Sequence, residues 1–219
     1  MMASYKTVLA FGLVAALASP TLAQGPGGGY GGGGGGLIGL ISNASVQKEL
    51  KLDEDQVRKA GVVAEDGRAK GQEMRSALEG LEGEERTKKM TEMTKAANEE
   101  GLKTLGTFLK PEQLKRFKQI ELQQAGVNAF TYPAVAKALK VTDEQAEKVK
   151  ALIADQRSQM TAVRDAAGGN RQAAMEKGAA IRKEMKAKAM ALMTDEQKAT
   201  YKEMAGEPFD LVPNPRPAN

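Results

Sequence analysis

A short segment near the start of the chain recurs near its middle. Residues 46–56 (VQKELKLDEDQ) align with residues 135–145 (VAKALKVTDEQ) at an offset of 89 residues. Further along, residues 108–113 (FLKPEQ) align with residues 192–197 (LMTDEQ) at an offset of 84 residues. Because similarity at a fixed spacing marks a repeated structural unit, the chain is predicted to contain an internal duplication, with a shorter loop in the second copy.

The ends of the chain differ in composition from the duplicated part. Lys6, the apolar residues 7–18 and the small residues 21–23 form the pattern of a cleaved secretory signal, with an uncleaved anchor as the alternative. Ten of the 24 glycines lie between residues 25 and 36, which is typical of a flexible tether. A periplasmic or secreted protein is therefore expected. The predicted organisation is a signal peptide over residues 1–23, a Gly-rich linker over 24–44, repeat 1 over 45–125, an uncharged connector over 126–133, repeat 2 over 134–206 and a Pro-rich tail over 207–219.

One sequence pattern marks a helix start four times. It consists of an apolar residue, a capping position, two further residues and then Gln. In such a capping box the cap side chain accepts the N3 amide proton, while the Gln side chain reaches back to the cap amide. Lys110 has no side-chain acceptor, but Pro111 suits the first position of a helix. The residues assigned to the four boxes are Leu52, Asp53 and Gln56; Leu109, Pro111 and Gln113; Val141, Thr142 and Gln145; and Met193, Thr194 and Gln197.

Between these starts the apolar residues recur at helical spacing. They follow alternating steps of three and four, which is typical of helices that pack along a seam, and no stretch alternates as a strand does. Breaks at Gly80 and Gly83, and at Gly168 and Gly169, separate two long helices in each repeat. We therefore expect an all-α fold built from antiparallel helical hairpins.

Equivalent positions in the two repeats differ in size. Gly71 corresponds to Met160, and Gly101 corresponds to Met185. If the small residue of one repeat receives the large residue of the other, the repeats pack on each other as one elongated domain. This predicts a monomeric pseudo-dimer, with a homodimer as the alternative.

The composition excludes several kinds of chemistry. The chain has no Cys, no His and no Trp, so disulfides, Cys- or His-based zinc sites and Ser-His catalysis are impossible. A net charge of +4 and an aromatic content of 4% give no support for nucleic-acid binding. Paired acids such as Glu84 and Glu85 lie in polar helical stretches. We expect no cofactor, no metal, no enzymatic activity, no nucleic-acid partner and no stable membrane span after signal cleavage.

The four motifs resemble those of the LTxxQ family of periplasmic proteins, which includes the Spy and CpxP stress proteins. The resemblance covers residues 46–122 and 135–204, although none of the four motifs reads Leu-Thr. It implies a bent helical hairpin in each repeat and the function of an ATP-independent chaperone or an envelope-stress regulator. On this reading the partners are unfolded or partner proteins. The alternatives are a structural or protein-interaction module without chaperone activity, and a weak metal-responsive sensor.

Charge is distributed unevenly between the repeats. Residues 46–122 hold 16 basic and 16 acidic side chains, whereas residues 135–205 hold 14 basic and 10 acidic ones. A basic cluster could attract acidic clients or anions, although mixed charge on an exposed helix is also ordinary. The candidate contact residues are Arg182, Lys183, Lys186 and Lys188.

Overall fold

The computed structural model describes residues 36–212 and residue 214, and this part of the chain contains helices and turns but no strands. The all-α prediction is therefore confirmed. The predicted signal peptide, residues 24–35 of the linker, and residues 213 and 215–219 of the tail lie outside the described residues. The helices are α1 (Gly36–Ile41), α2 (Ala44–Glu49), α3 (Glu54–Ala77), α4 (Gly83–Leu105), α5 (Pro111–Gln124), a 3₁₀ helix (Gly126–Thr131), α6 (Pro133–Leu139), α7 (Asp143–Ala166), α8 (Arg171–Ala191) and α9 (Asp195–Ala205).

Both halves of the described chain have the same order of helices. A pair of short helices leads into a long antiparallel hairpin, and a closing helix follows. We call the α3–α4 hairpin arm 1 and the α7–α8 hairpin arm 2. The arms turn at the predicted glycines, where Gly80 and Gly169 have φ of 76° and 91°, a region that favours glycine. The duplication itself remains a prediction from the sequence.

Two lysines share an unusual backbone conformation at equivalent positions. Lys51 and Lys140 have φ of 52° and 51°, and each ends a short helix just before a capping box. The left-handed conformation is uncommon for a residue with a side chain and costs about 1 kcal/mol. Each half therefore makes the same sharp turn into its arm.

The predicted linker is not flexible over residues 36–44. These residues form α1 and the start of α2, with Leu37, Leu40 and Ile41 buried. The linker was predicted from the glycine-rich composition. The run GLIGLI nevertheless supplies apolar side chains that fill a groove at the base of arm 1. The linker was therefore predicted to end too late.

Small residues of arm 1 receive side chains from α1. A methyl group added at Gly67 would lie 2.0 Å from Ile38 Cδ1, and one added at Gly101 would lie 3.0 Å from Leu37 Cδ2. The predicted packing of Gly101 against Met185 across the halves is therefore wrong. Size complementarity operates within a half, because the short helix before each arm lies closer to it than the other arm does.

Arm 2 fills the equivalent space in a different way. Met185 is fully buried in the core of the second half. Met160 lies over Gly178 of its own hairpin, and a methyl group added at Gly71 would meet nothing within 4 Å. The predicted pairing of Gly71 with Met160 is therefore also wrong.

Each half has its own core, and the two cores meet at α5 and α9. Across this junction the Tyr201 hydroxyl donates to the Leu122 carbonyl at 3.4 Å, and Gln123 Nε2 donates to the Ala205 carbonyl at 2.6 Å. The connector, expected only to join the repeats, contributes to the second core. Its 3₁₀ helix buries Val127, Ala129 and Phe130.

The C-terminal tail crosses back to the first half. Phe209 and Leu211 pack against the first core, and the Phe209 amide donates to Gln123 Oε1 at 2.9 Å. The Val212 carbonyl accepts a hydrogen bond of 2.9 Å from the side chain of Asn43. Residues 207–212 and 214 of the tail are non-helical and dock along the surface.

Replacing Gly67 by Ala should destabilise the protein by about 1 kcal/mol. The gain of about 1 kcal/mol in helix propensity is outweighed because Ile38 must move to admit the methyl group. Gly61→Ala is the matched control in the same helix, since an added methyl group there meets nothing within 4 Å and should stabilise. Urea denaturation measures both effects. Equal stabilisation by the two substitutions would contradict the packing of α1 on arm 1.

Candidate functional site

The glutamines of the capping boxes lie in pairs, amide against amide. In the first half, Gln56 Nε2 donates to Gln113 Oε1 at 2.8 Å, and Gln113 Nε2 donates back to Gln56 Oε1 at 3.1 Å. In the second half, Gln145 and Gln197 form the same reciprocal pair at 2.8 and 3.0 Å. We call each pair a glutamine clasp. Gln56 and Gln113 are buried, whereas Gln145 and Gln197 are half-buried.

Each clasp glutamine has a second partner for its oxygen. Each Oε1 also accepts the amide proton of its own cap residue, at 2.9 to 3.2 Å. At each of the four capping boxes, the glutamine oxygen that binds the opposite glutamine therefore also accepts the proton of the cap amide. The four cap amides belong to Asp53, Lys110, Thr142 and Thr194.

The nitrogen of each clasp glutamine also has a second partner. Each Nε2 donates to a carbonyl just before the opposite capping box, so that both amide protons are used. A buried amide in which every donor and acceptor is paired stabilises a single arrangement of the groups around it. The bonds are Gln56 to Phe108 at 2.9 Å, Gln113 to Leu50 at 3.1 Å, Gln145 to Leu192 at 2.8 Å and Gln197 to Leu139 at 2.9 Å.

The predicted side-chain caps are present at three of the four boxes. Asp53 accepts the Gln56 amide proton at 2.9 Å. Thr142 and Thr194 accept those of Gln145 and Gln197 at 3.2 Å each. At the fourth box the Lys110 side chain has no acceptor, and Pro111 begins the helix as expected.

The apolar residue of each motif fixes the helix start to a core. Leu109 and Met193 are buried, whereas Leu52 and Val141 are half-buried against the same cores. The motif residues therefore form structural joints, in which a cap, a clasp and an apolar anchor act together. The sequence predicted the capping boxes but not the pairing of the glutamines. The signal was their similar separation of 57 and 52 residues within each half.

The basic cluster divides into two pairs. Arg182 and Lys186, one helical turn apart on α8, are half-buried, and the Lys186 ammonium lies 5.8 Å from the centre of the Tyr201 ring. Lys183 and Lys188 are exposed, and Lys188 pairs with Glu184 at 2.7 Å. The two pairs therefore present different surfaces to a ligand.

The junction between the halves holds three buried or half-buried ionisable groups. Burial raises the pKa of Glu121, and it raises the pKa values of Tyr132 and Tyr201 to about 12. Tyr201 also stacks on Phe130 at 5.2 Å between ring centres. These groups are therefore packed into the junction.

No group of acidic side chains in the described residues could hold a metal ion. A shallow groove of about 300 Å³ lies beside Leu139, Gln197 and Thr200. No helix in residues 36–212 is both long and apolar enough to cross a membrane.

The chain was compared with protein families, curated proteins and solved structures, and none of them matches it. The resemblance to the LTxxQ proteins therefore continues to depend on the four motifs alone.

Replacing Gln56 by Met should lower the free energy of unfolding by about 3 kcal/mol. The change removes one partner each from Nε2 and Oε1 of Gln113, and it removes the Gln56 partner of the Phe108 carbonyl and of the Asp53 amide. Each lost partner of a buried polar group costs about 1–3 kcal/mol. In a double-mutant cycle with Gln113→Met, the two losses should couple by at least about 1 kcal/mol. Purely additive losses in chemical denaturation would show that the clasp is not a unit.

Replacing Lys110 by Thr should stabilise the protein by about 0.5–1 kcal/mol. The backbone of Lys110 already has the extended conformation of a cap residue. The new hydroxyl therefore supplies the missing acceptor for the backbone N–H of Gln113. Thr142→Ala and Thr194→Ala should each cost about 1 kcal/mol for the opposite reason. Denaturation midpoints measure all three. A destabilising Lys110→Thr would contradict the assignment of this position as a cap.

Proposed function

We propose that this protein is an exported, ATP-independent chaperone-like protein that binds unfolded or partner polypeptides along its two arms. The observation that carries the proposal is the projection of long helical arms beyond the two cores. α3 and α7 have 24 residues each, which corresponds to about 36 Å of helix.

The distal parts of the arms bury few side chains. Between Ala64 and Leu105, only Leu78 is buried in arm 1. Among the residues between Gln156 and Met185 whose burial is described, only Gly178 is buried in arm 2. Segments with few buried contacts open at low free-energy cost, so the arms can adjust to the shape of a bound chain.

The seams of the arms are rich in methionine. Met74, Met90 and Met93 are half-buried in arm 1, and Met160 is half-buried in arm 2. Met175 is 49% exposed on α8. The flexible and polarizable methionine side chain suits surfaces that contact many different apolar groups. This composition supports binding of varied clients rather than of one fixed ligand.

The glutamine clasps hold the arms at their bases. Each clasp joins the first turn of an arm helix to the first turn of the closing helix. Adjustment is thereby restricted to the distal part of each arm. A structural module that only joins envelope proteins would use the same two-armed shape, and it is the alternative that an activity assay must distinguish.

The full chain without its signal segment should suppress aggregation of a chemically unfolded client in the absence of ATP. Light scattering of the client measures the effect. Val62→Lys combined with Met175→Lys should weaken suppression, because these are large apolar side chains exposed on the arms, at 57% and 49%.

Val212→Lys is the matched control, since Val212 is 61% exposed but lies on the tail and not on an arm. Circular dichroism confirms that each variant remains helical. Unchanged scattering with the unsubstituted protein in several-fold excess would remove the chaperone proposal and favour the structural module.

A further inference from the structure

Arg182 and Lys186 are two half-buried cations of arm 2. They are four residues apart on α8, which places them on the same side of the helix about one turn apart. A methyl group added at Gly178 would lie 3.3 Å from Met160 Sδ and 3.5 Å from Arg182 Nη1, so the thioether and the guanidinium together cover this glycine. Lys186 extends over Tyr201 in the other direction.

Neither of these cations is paired with a carboxylate among the described residues. Burial lowers the pKa of Arg182 and of Lys186, and no acidic neighbour opposes the shift. Lys188, on another side of the helix, differs because Glu184 and Asp155 raise its pKa. Two half-buried cations without counter-charges carry a desolvation cost that an external anion would offset.

The fold does not require these two charges. At the offset of 84 residues, α4 has Asn98 in place of Arg182 and Leu102 in place of Lys186. Arm 1 therefore forms the same hairpin without a cation at either position. The charges are specific to the second half, where basic residues exceed acidic ones.

We propose that Arg182 and Lys186 bind an acidic polypeptide segment, with side-chain carboxylates of the segment accepting hydrogen bonds from the guanidinium and the ammonium. This inference rests on the proposed function and names the chemical class of the clients that arm 2 selects. The half-buried Met160 supplies apolar surface beside Arg182, which suits a peptide that carries both carboxylates and apolar side chains.

The number and placement of the charges favour a polypeptide over other anions. Anionic membranes are typically recognised by clusters of about four to eight basic residues next to an apolar anchor. Nucleic acids need a row of phosphate contacts, and bases are often held by aromatic stacking. Among the described side chains of arm 2, Arg182 and Lys186 are the two half-buried cations, and the Tyr201 ring beside Lys186 is buried. Two carboxylates of a peptide are enough to neutralise these two cations.

Direct binding of a fluorescein-labelled, glutamate-rich peptide to the full chain tests the proposal. The same peptide with glutamine in place of each glutamate is the ligand control. The double variant Arg182→Gln and Lys186→Gln should weaken binding of the glutamate peptide by about tenfold. Lys183→Gln with Lys188→Gln removes the same charge from the same helix and should change the affinity by less than about twofold.

The outcomes separate this inference from the proposed function. Equal weakening by the two double variants, equal binding of the two peptides, or tighter binding to phosphatidylglycerol vesicles than to the peptide would each overturn the inference. Suppressed client aggregation together with absent peptide binding would overturn the inference and leave the chaperone proposal standing. Peptide binding without aggregation suppression would support the cationic site while removing the chaperone proposal. If the first double variant loses helical circular dichroism, Arg182→Gln alone serves in its place.

Discussion

The reciprocal hydrogen bonding of two glutamine amides is the interaction on which the rest of the structure depends. Within a half, the starts of the arm and of the closing helix meet at one clasp, and the carbonyls just before them bind to the same amides. Glutamine is suited to this position because one side chain offers two donors and two acceptors without a charge. A carboxylate would lack the donors, and an apolar side chain would leave several backbone groups unpaired. Each half is therefore joined at its base by polar contacts whose geometry is strict.

The packing around this joint is less constrained than the joint itself. The first half fills the base of its arm with Leu37 and Ile38 over small residues, whereas the second half buries Met185 on the arm. Both solutions keep the same helix order and the same left-handed turn at a lysine. Volume can be redistributed between neighbouring elements as long as the interior is filled. The clasp and the turn, which depend on direction as well as volume, recur in both halves.

Local features of this structure could be predicted from the sequence, and long-range ones could not. The helices, their glycine breaks and the caps of Asp53, Thr142 and Thr194 each depend on residues within one or two turns. The clasps join residues more than 50 positions apart, and their partners are set by how the hairpin closes. Helix α1 was not predicted from the sequence, because the glycine-rich segment before it indicated a linker. The three apolar side chains that α1 buries were given too little weight. The basic cluster was predicted as a set of four, but only the structure separates the half-buried pair from the exposed one.

The docked tail brings the two ends of the described chain together. Asn214 accepts a hydrogen bond of 2.9 Å from the Ala44 amide and donates one of 3.1 Å to the Ser42 carbonyl. The path from α1 through both arms to the tail is thus a closed ring rather than an open rod. Because the two ends of the described chain lie close together, they could be joined and the chain opened elsewhere without moving the helices. A circular permutant opened at an arm tip would therefore retain both cores and both clasps. Tension applied to the two ends of the described chain would first load the contact between the tail and α2, and it would reach the arms only after that contact had separated.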